Sequence, residues 1–322
     1  MIYLQLVGGI AVLLGSAEVF IRGSIRLAKL LKMPPLVIGM TVVAIGTSAP
    51  ELVVTLDAAL SGSPGLAVGN VIGSNIANVL LILGVSCMLS PIMGPKNALF
   101  RDGAVLISGT VVFAFLCTQG QLGLWSGAAL FAVFLGFLAS SYRKEMQDDD
   151  AIAEHIQEVE RLQPTASPAW TILAAVIIGL AGVVWGADLL VKAGVVIARE
   201  NGISEEVIGL TVIALGTSLP ELAASVVAAY RGHSDIAVGN IVGSNLFNIL
   251  GIAGFVAMLT PLPVAEEFLS FDIWVMLGST VLVLPILAGR WHPGRYSGAL
   301  FLGLYGAFIL FNGYRAGLFG IG

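Results

Sequence analysis

The sequence predicts an all-α membrane protein: ten transmembrane helices arranged as two inverted five-helix repeats. Three observations predict it. Hydrophobic residues make up 57% of the 322-residue chain and charged residues only 11%, against about 25% charged in a soluble domain. Apolar runs long enough to cross a bilayer, about 20 residues each, follow one another from Leu4 to Leu318. The chain also writes one stretch twice. Gly39-Met40-Thr41-Val42-Val43-Ala44-Ile45-Gly46-Thr47-Ser48-Ala49-Pro50-Glu51-Leu52 returns as Gly209-Leu210-Thr211-Val212-Ile213-Ala214-Leu215-Gly216-Thr217-Ser218-Leu219-Pro220-Glu221-Leu222, identical at ten of fourteen positions.

The spans follow in order. The first runs from about Leu4 to Leu30, the second from Pro35 to Leu60 with the first signature, and the third from Pro64 to Leu89. Two plainer spans lie near Gly103–Cys117 and Leu122–Tyr142. A polar linker, 143–168, contains Asp148-Asp149-Asp150 with Glu154, Glu158 and Glu160, and divides the chain into a first repeat (1–142) and a second (169–322). The sixth span opens near Trp170, the seventh (about Glu205–Tyr230) holds the second signature, and the eighth covers about Asp235–Leu259. The ninth and tenth lie near Phe271–Leu287 and Tyr296–Phe311. Met1 leads almost directly into the first span without a basic stretch or small-residue cleavage site, so a removable leader is not expected. Cys87 and Cys117 both sit in apolar runs and read as core residues, not as a disulfide.

The repeat is wider than its signature. An offset of 170 residues pairs Glu51 with Glu221, Ser74 with Ser244, Asn78 with Asn248, Glu18 and Arg22 with Asp188 and Lys192, Asp102 with Asp272, and Gly136 with Gly306. Each unit therefore has five spans. Five is odd, so the second unit enters the membrane with the opposite orientation, and a substrate site is expected at the repeat interface near the bilayer midplane. Charge gives the sidedness. With the N-terminus outside, the inside connections carry Arg26, Lys29, Lys32, Lys96, Arg101, Arg143, Lys144, Arg161, Arg231, Arg290 and Arg295, and the outside ones only Arg199 and Arg315. That is the positive-inside bias. It places the chain in a cell (inner) membrane with both termini outside and the acidic linker in the cytoplasm.

The doubled stretch carries the chemistry. A carboxylate at membrane depth costs at least about 2.5–3.5 kcal/mol and is kept for a function. On a helix, Thr47 and Ser48 lie four and three residues before Glu51 and share its face. Pro50 lacks an N–H and its ring crowds the carbonyl of Gly46, which loosens the ladder near Gly46 and Thr47. Freed carbonyls in a bilayer need a cavity or a cation. Pro220 does the same for Gly216 and Thr217. Each half thus offers carbonyls, two hydroxyls and one carboxylate. These are hard oxygen ligands of the kind calcium takes, and no Cys or His stands near to favour zinc or copper. The next span of each half adds Ser74 and Asn78, or Ser244 and Asn248, four apart on one face, and the small pairs Gly69/Gly73 and Gly239/Gly243 that let helices approach closely.

Blander readings exist for single features. A glycine pair usually means packing, and a lone Ser or Thr usually bonds its own helix. An isolated Glu could pair structurally with Arg22 or Lys192. The doubling of both motifs at one offset favours an ion site over all three. Glu18/Arg22 and Asp188/Lys192 read either as neutralised pairs or as a gating contact in the first and sixth spans. Asp57, whose counterpart is Val227, reads as a solvated helix end or a cation-attracting mouth. The acidic linker lacks the Asp/Asn alternation and central Gly of a calcium loop and reads as solvated.

At these residues the chain resembles the calcium/cation antiporter superfamily, specifically prokaryotic sodium/calcium exchangers. Both alpha-repeat signatures are present: Gly46-Thr47-Ser48-Ala49-Pro50-Glu51 with Gly73-Ser74-Asn75, and Gly216-Thr217-Ser218-Leu219-Pro220-Glu221 with Gly243-Ser244-Asn245. The resemblance covers essentially the whole chain. It implies that Glu51 and Glu221, with the carbonyls of Thr47 and Thr217, hold calcium. It implies sodium sites at Ala44, Ser48, Ser74, Ala214, Ser218 and Ser244 with the same glutamates, and Asn78 and Asn248 lining the centre. Some members carry Asp where this chain has Asn248. An amide does not ionise, so the central charge is −2, which balances one calcium, and the resemblance to the potassium-independent branch at this position argues against potassium dependence.

The expected function is a secondary antiporter that exchanges sodium for calcium, with calcium and sodium as cargo, membrane lipid around it, and no resident cofactor, nucleic acid or obligate protein partner. Proton/calcium exchange is the near alternative, since a buried Glu can carry protons. A passive cation channel is the more distant one, since it needs no inverted halves. An intramembrane peptidase lacks support: there is no His-Glu-x-x-His and no evident His partner for the intramembrane serines. The absence of a Gly-x4-Gly-Lys-Ser/Thr loop argues against ATP drive.

Overall fold

The computed structural model describes residues 2–31, 33–93, 102–145, 168–200 and 214–315. Helices dominate: α1 (Ile2–Leu31), α2 (Pro35–Thr47), α3 (Ala49–Leu60), α4 (Pro64–Leu89), α5 (Ala104–Cys117), α6 (Leu124–Glu145), α7 (Ala169–Glu200), α8 (Ala214–Thr217), α9 (Leu219–Tyr230), α10 (Ser234–Leu259), α11 (Phe268–Leu287) and α12 (Arg295–Arg315). Among the described residues, seven of these are long and apolar enough to cross a membrane: α1, α4, α6, α7, α10, α11 and α12. The pair α2/α3 makes an eighth if it is one span, bent by 44°. Helices α5 and α9 are shorter and apolar. The expected start of the seventh span, 205–213, lies outside the described residues. So does the acidic linker, apart from its first three residues, which continue α6, and Pro168.

Helix ends sit where the local chemistry puts them. Pro64 opens α4 and Pro35 opens α2, because an N–H is not needed in a first turn. The turns after α3 and α9 each close on a left-handed glycine, Gly62 (φ 78°) and Gly232 (φ 81°), a conformation that side chains resist. Among the described residues, four of these helices contain π-helical segments: Gly39–Val43 in α2, Asn78–Ile82 in α4, Phe247–Ile252 in α10 and Phe268–Asp272 in α11. One small strand pair interrupts the helical plan. Gln121 and Leu122 run antiparallel to Pro263 and Leu262 and tie the loop after α5 to the loop after α10.

Glycine sets the packing. Helices α1 and α7 lie along one another, and α4 and α10 form the buried centre. A Cβ on Gly239 of α10 would stand 2.6 Å from the carbonyl oxygen of Leu36, and one on Gly39 of α2 would stand 2.8 Å from that of Ile236. Helix α10 therefore rests backbone to backbone on α2, as the spacing of Gly239 and Gly243 predicts; Gly69 and Gly73 of α4 do not repeat this, since Gly69 faces the Phe268 ring and Gly73 has open space around it. The outer helices interlock across the two halves. Helix α6 presses Gly127 onto Gly254 of α10, and α12 presses Gly298 onto Gly84 of α4, with virtual Cβ distances of 2.6 and 2.7 Å to the facing carbonyls. Gly84 and Gly254 are equivalents at the 170-residue offset. Cys87 and Cys117 are buried free thiols, in line with the core reading.

Candidate cation site

The signature helices break at a serine. Ser48 (φ −84°, ψ 11°) ends α2 and precedes α3, and Ser218 (φ −86°, ψ 3°) stands likewise between α8 and α9. This corrects the expectation of one helical face: Thr47 belongs to α2 and Glu51 to α3, on either side of a bend. The ladder persists up to the break, with the Ser48 N–H on the Ala44 carbonyl at 3.0 Å. Pro50 and Pro220 sit in the first turns of α3 and α9, where a missing N–H is harmless. Glu51 and Glu221 occupy those same first turns. There the exposed N–H groups of a helix start favour negative charge.

Both carboxylates are buried, each 2% exposed. Among the described residues neither is held by a basic side chain: Arg22 pairs with Glu18, and Lys192 with Asp188. Their partners are hydroxyls from the opposite half. The Ser48 hydroxyl donates to Glu221 Oε1 at 2.7 Å, and the Ser218 hydroxyl donates to Glu51 Oε1 at 3.4 Å. Ser244 Oγ stands 3.0 Å from Ser48 Oγ. With its single proton on the carboxylate, Ser48 accepts there. The second oxygen of each carboxylate, Glu51 Oε2 and Glu221 Oε2, has no hydrogen-bond partner among the described residues.

Asparagines complete the centre. Asn78 donates to Asn245 Oδ1 at 2.9 Å, which joins α4 to α10, and Asn245 donates to the Asn75 carbonyl at 3.4 Å. The Asn78 carbonyl oxygen and both polar atoms of Asn248 have no partner, though each side chain is 1% exposed. Buried polar atoms are normally hydrogen-bonded. Here four buried oxygens, from Glu51, Glu221, Asn78 and Asn248, are left unsatisfied on the signature helices and their neighbours. Elsewhere among the described residues only three serine hydroxyls share that condition.

The remaining expected residues fall around this core. Thr47 is buried, its one hydroxyl proton shared between the Val43 carbonyl at 3.0 Å and Asn240 Oδ1 at 3.2 Å. Thr217 is buried at the end of α8, and Ala44 is buried in α2. Ser74 is buried one turn before Asn78. Ala214 opens α8.

Sequence reasoning left Asn70 and Asn240 without a role. Asn240 donates to the Glu221 carbonyl (3.3 Å) and the Ser225 hydroxyl (2.9 Å), and Asn70 repeats this on the Glu51 carbonyl and the Thr55 hydroxyl at the same distances. Each fixes the helix that carries a carboxylate. Asn240 also receives the Thr47 hydroxyl, so it joins the two halves. The signal was present, since Asn70/Asn240 and Thr55/Ser225 obey the 170-residue offset.

Known proteins carry the same plan. The family model described as "Sodium/calcium exchanger protein" matches residues 1–143 and 171–314. The chain belongs to this family. Among its relatives, the sodium/calcium exchanger MaX1 of Methanosarcina acetivorans is 32% identical over 344 residues, covering 96% of this chain and 97% of that protein. The inner membrane protein YrbG of Escherichia coli is 36% identical over 315 residues, covering 95% and 94%. A solved structure of the sodium-calcium exchanger NCX_Mj, soaked with sodium and calcium, aligns at a TM-score of 0.81 with 31% identity, over 95% of this chain and 96% of that one. In this exchanger-family member the unsatisfied oxygens lie on the doubled signature and on the helix after it in each half.

Proposed function

We propose that this protein is a secondary active antiporter that exchanges sodium for calcium by alternating access. Family membership supports cation antiport. The observation that carries the choice of site is the set of four buried oxygens, of Glu51, Glu221, Asn78 and Asn248, that have no hydrogen-bond partner among the described residues. A hard cation is the partner such oxygens want. In this reading calcium sits between Glu51 and Glu221 with the carbonyls of Thr47 and Thr217. Sodium uses the same carboxylates with Ser48, Ser74, Ala44, Ser218, Ser244 and Ala214. The two carboxylates hold −2, so one calcium is neutral in the site, and three sodium ions in its place would carry charge across.

The architecture proposed with it is ten spans in two inverted halves, residues 1–142 and 169–322, around a cytoplasmic linker, with both termini outside a cell membrane. Helices α1 and α7 slide as a pair over the α2–α4 and α8–α10 core. Radiolabelled calcium uptake into proteoliposomes tests the coupling, with sodium, potassium and proton gradients imposed separately. A sodium gradient alone is expected to drive uptake. Proton/calcium exchange is favoured by one observation, two buried carboxylates without a basic partner; uptake driven by a pH gradient in sodium-free vesicles would select it.

One prediction arises from Asn240. Asn240→Ala removes a partner from the Glu221 carbonyl, the Ser225 hydroxyl and the Thr47 hydroxyl. An unsatisfied buried group costs about 1–3 kcal/mol. The expected outcome is a folded protein whose apparent calcium affinity falls about tenfold, read from the concentration dependence of uptake.

A further inference from the structure

The two halves carry an acidic residue at the same place and use it differently. Glu18 on α1 and Asp188 on α7 are equivalents at the 170-residue offset. Each meets a basic residue one turn on, Arg22 for Glu18 and Lys192 (2.7 Å) for Asp188. Glu18 has a second partner on another helix. Arg231, at the end of α9, donates from Nη2 to Glu18 Oε1 at 2.6 Å and from Nε to Oε2 at 2.9 Å. Such two-pronged pairing is the strongest geometry open to a guanidinium and a carboxylate.

The counterpart of Arg231 is Ser61, at the end of α3. The two backbones match: φ −81° and ψ 6° at Ser61, φ −81° and ψ 0° at Arg231, each followed by its left-handed glycine. Only the side chain differs. Helix packing differs in the same sense. Helix α1 lies along α9, and Phe20, Ile21, Ser24 and Leu27 are buried. Among the described residues α7 makes no comparably extended contact with α3, and the equivalents Leu190, Val191, Gly194 and Ile197 are only half-buried.

We propose that Arg231 sets the sidedness of exchange by latching α1 to α9. The proposal rests on the antiport reading, in which inverted halves trade conformations. In the traded state α7 would lie along α3 and α1 would leave α9. That change breaks the Glu18–Arg231 pair and offers Asp188 only Ser61 in return. The latch therefore favours the state closed at the Arg231 end and open at the other, and the open face binds calcium with the higher apparent affinity. Affinity from either face scales with the population open to it.

The test uses the full chain in proteoliposomes of known orientation, with the apparent KM for calcium measured from each face. Arg231→Ser is expected to shift the ratio of the two KM values about three- to tenfold towards the Arg231 face, with the two values moving in opposite directions. Arg231→Lys should fall between. Glu18→Arg with Arg231→Glu should restore the wild-type ratio. Ser61 is exposed, so Ser61→Arg can pair with Asp188, and added to Arg231→Ser it should invert the preference. An unchanged ratio in an active Arg231→Ser protein, or two KM values that rise together, overturns the latch. Wild-type protein inert to every cation gradient overturns the antiport reading itself, and the latch with it.

Discussion

Replacing either Glu51 or Glu221 with Gln is expected to abolish sodium-driven calcium uptake, with a loss of at least about 100-fold, or about 2.8 kcal/mol at 1.4 kcal/mol per tenfold. Glutamine keeps the shape and an acceptor oxygen, so Ser48 can still donate to position 221 and Ser218 to position 51. What disappears is half the charge of the site. Removing one member of a buried charge pair typically costs about 3–5 kcal/mol, and a divalent cation facing a single carboxylate is in that position. Thermal stability in detergent should stay near wild type, since no structural ion pair is lost. Full uptake by both single variants would remove the site assignment.

The second large effect is expected at the seam between α1 and α7. Gly179 and Gly186 lie seven residues apart on one face of α7. A Cβ on Gly179 would stand 2.6 Å from the Phe20 nitrogen and 2.7 Å from its Cα, and one on Gly186 would meet Leu13 at the same distances. Backbone atoms offer no rotamer to escape into, so the helices must separate. Overpacking typically costs about 1–3 kcal/mol per site, and Leu at both positions displaces the whole contact. The double Gly179→Leu, Gly186→Leu protein is expected to lose its monodisperse peak on size-exclusion chromatography. Leu at Gly136 and Gly306, which have open space around them, should leave the peak unchanged. A normal peak and normal transport in the double variant would show that α1 and α7 need not touch.

Much of this was readable in the chain because the bilayer makes hydropathy and punctuation reliable guides. The third span was expected at Pro64–Leu89, and the helix occupies those residues, since a proline opens it and a polar Ser90 follows. The bend at Ser48 was not readable. Pro50 announces a disturbance, but the torsion taken by the preceding serine depends on what packs around it. The exchange of serines between halves was hidden for a related reason. Periodicity compares residues along one helix, and it assigned Ser48 to Glu51; the fold gives it to Glu221. Asn70 and Asn240 stood in the repeat, but their targets, two backbone carbonyls and two hydroxyls, follow only from how the next helix leans. The π-helical segments and the two-residue strand pair are too short for any sequence period to declare.

Helices α4 and α10 are wrapped on most sides by protein, while α1, α6 and α12 turn most of their surface outward. A membrane thinner or thicker than the hydrophobic belt strains what it touches. Here it touches the collar and not the two central rods. Under the proposed sliding of α1 and α7, lipid composition would tune how readily that pair travels, and the spacing of the innermost oxygens would stay the same from one membrane to the next.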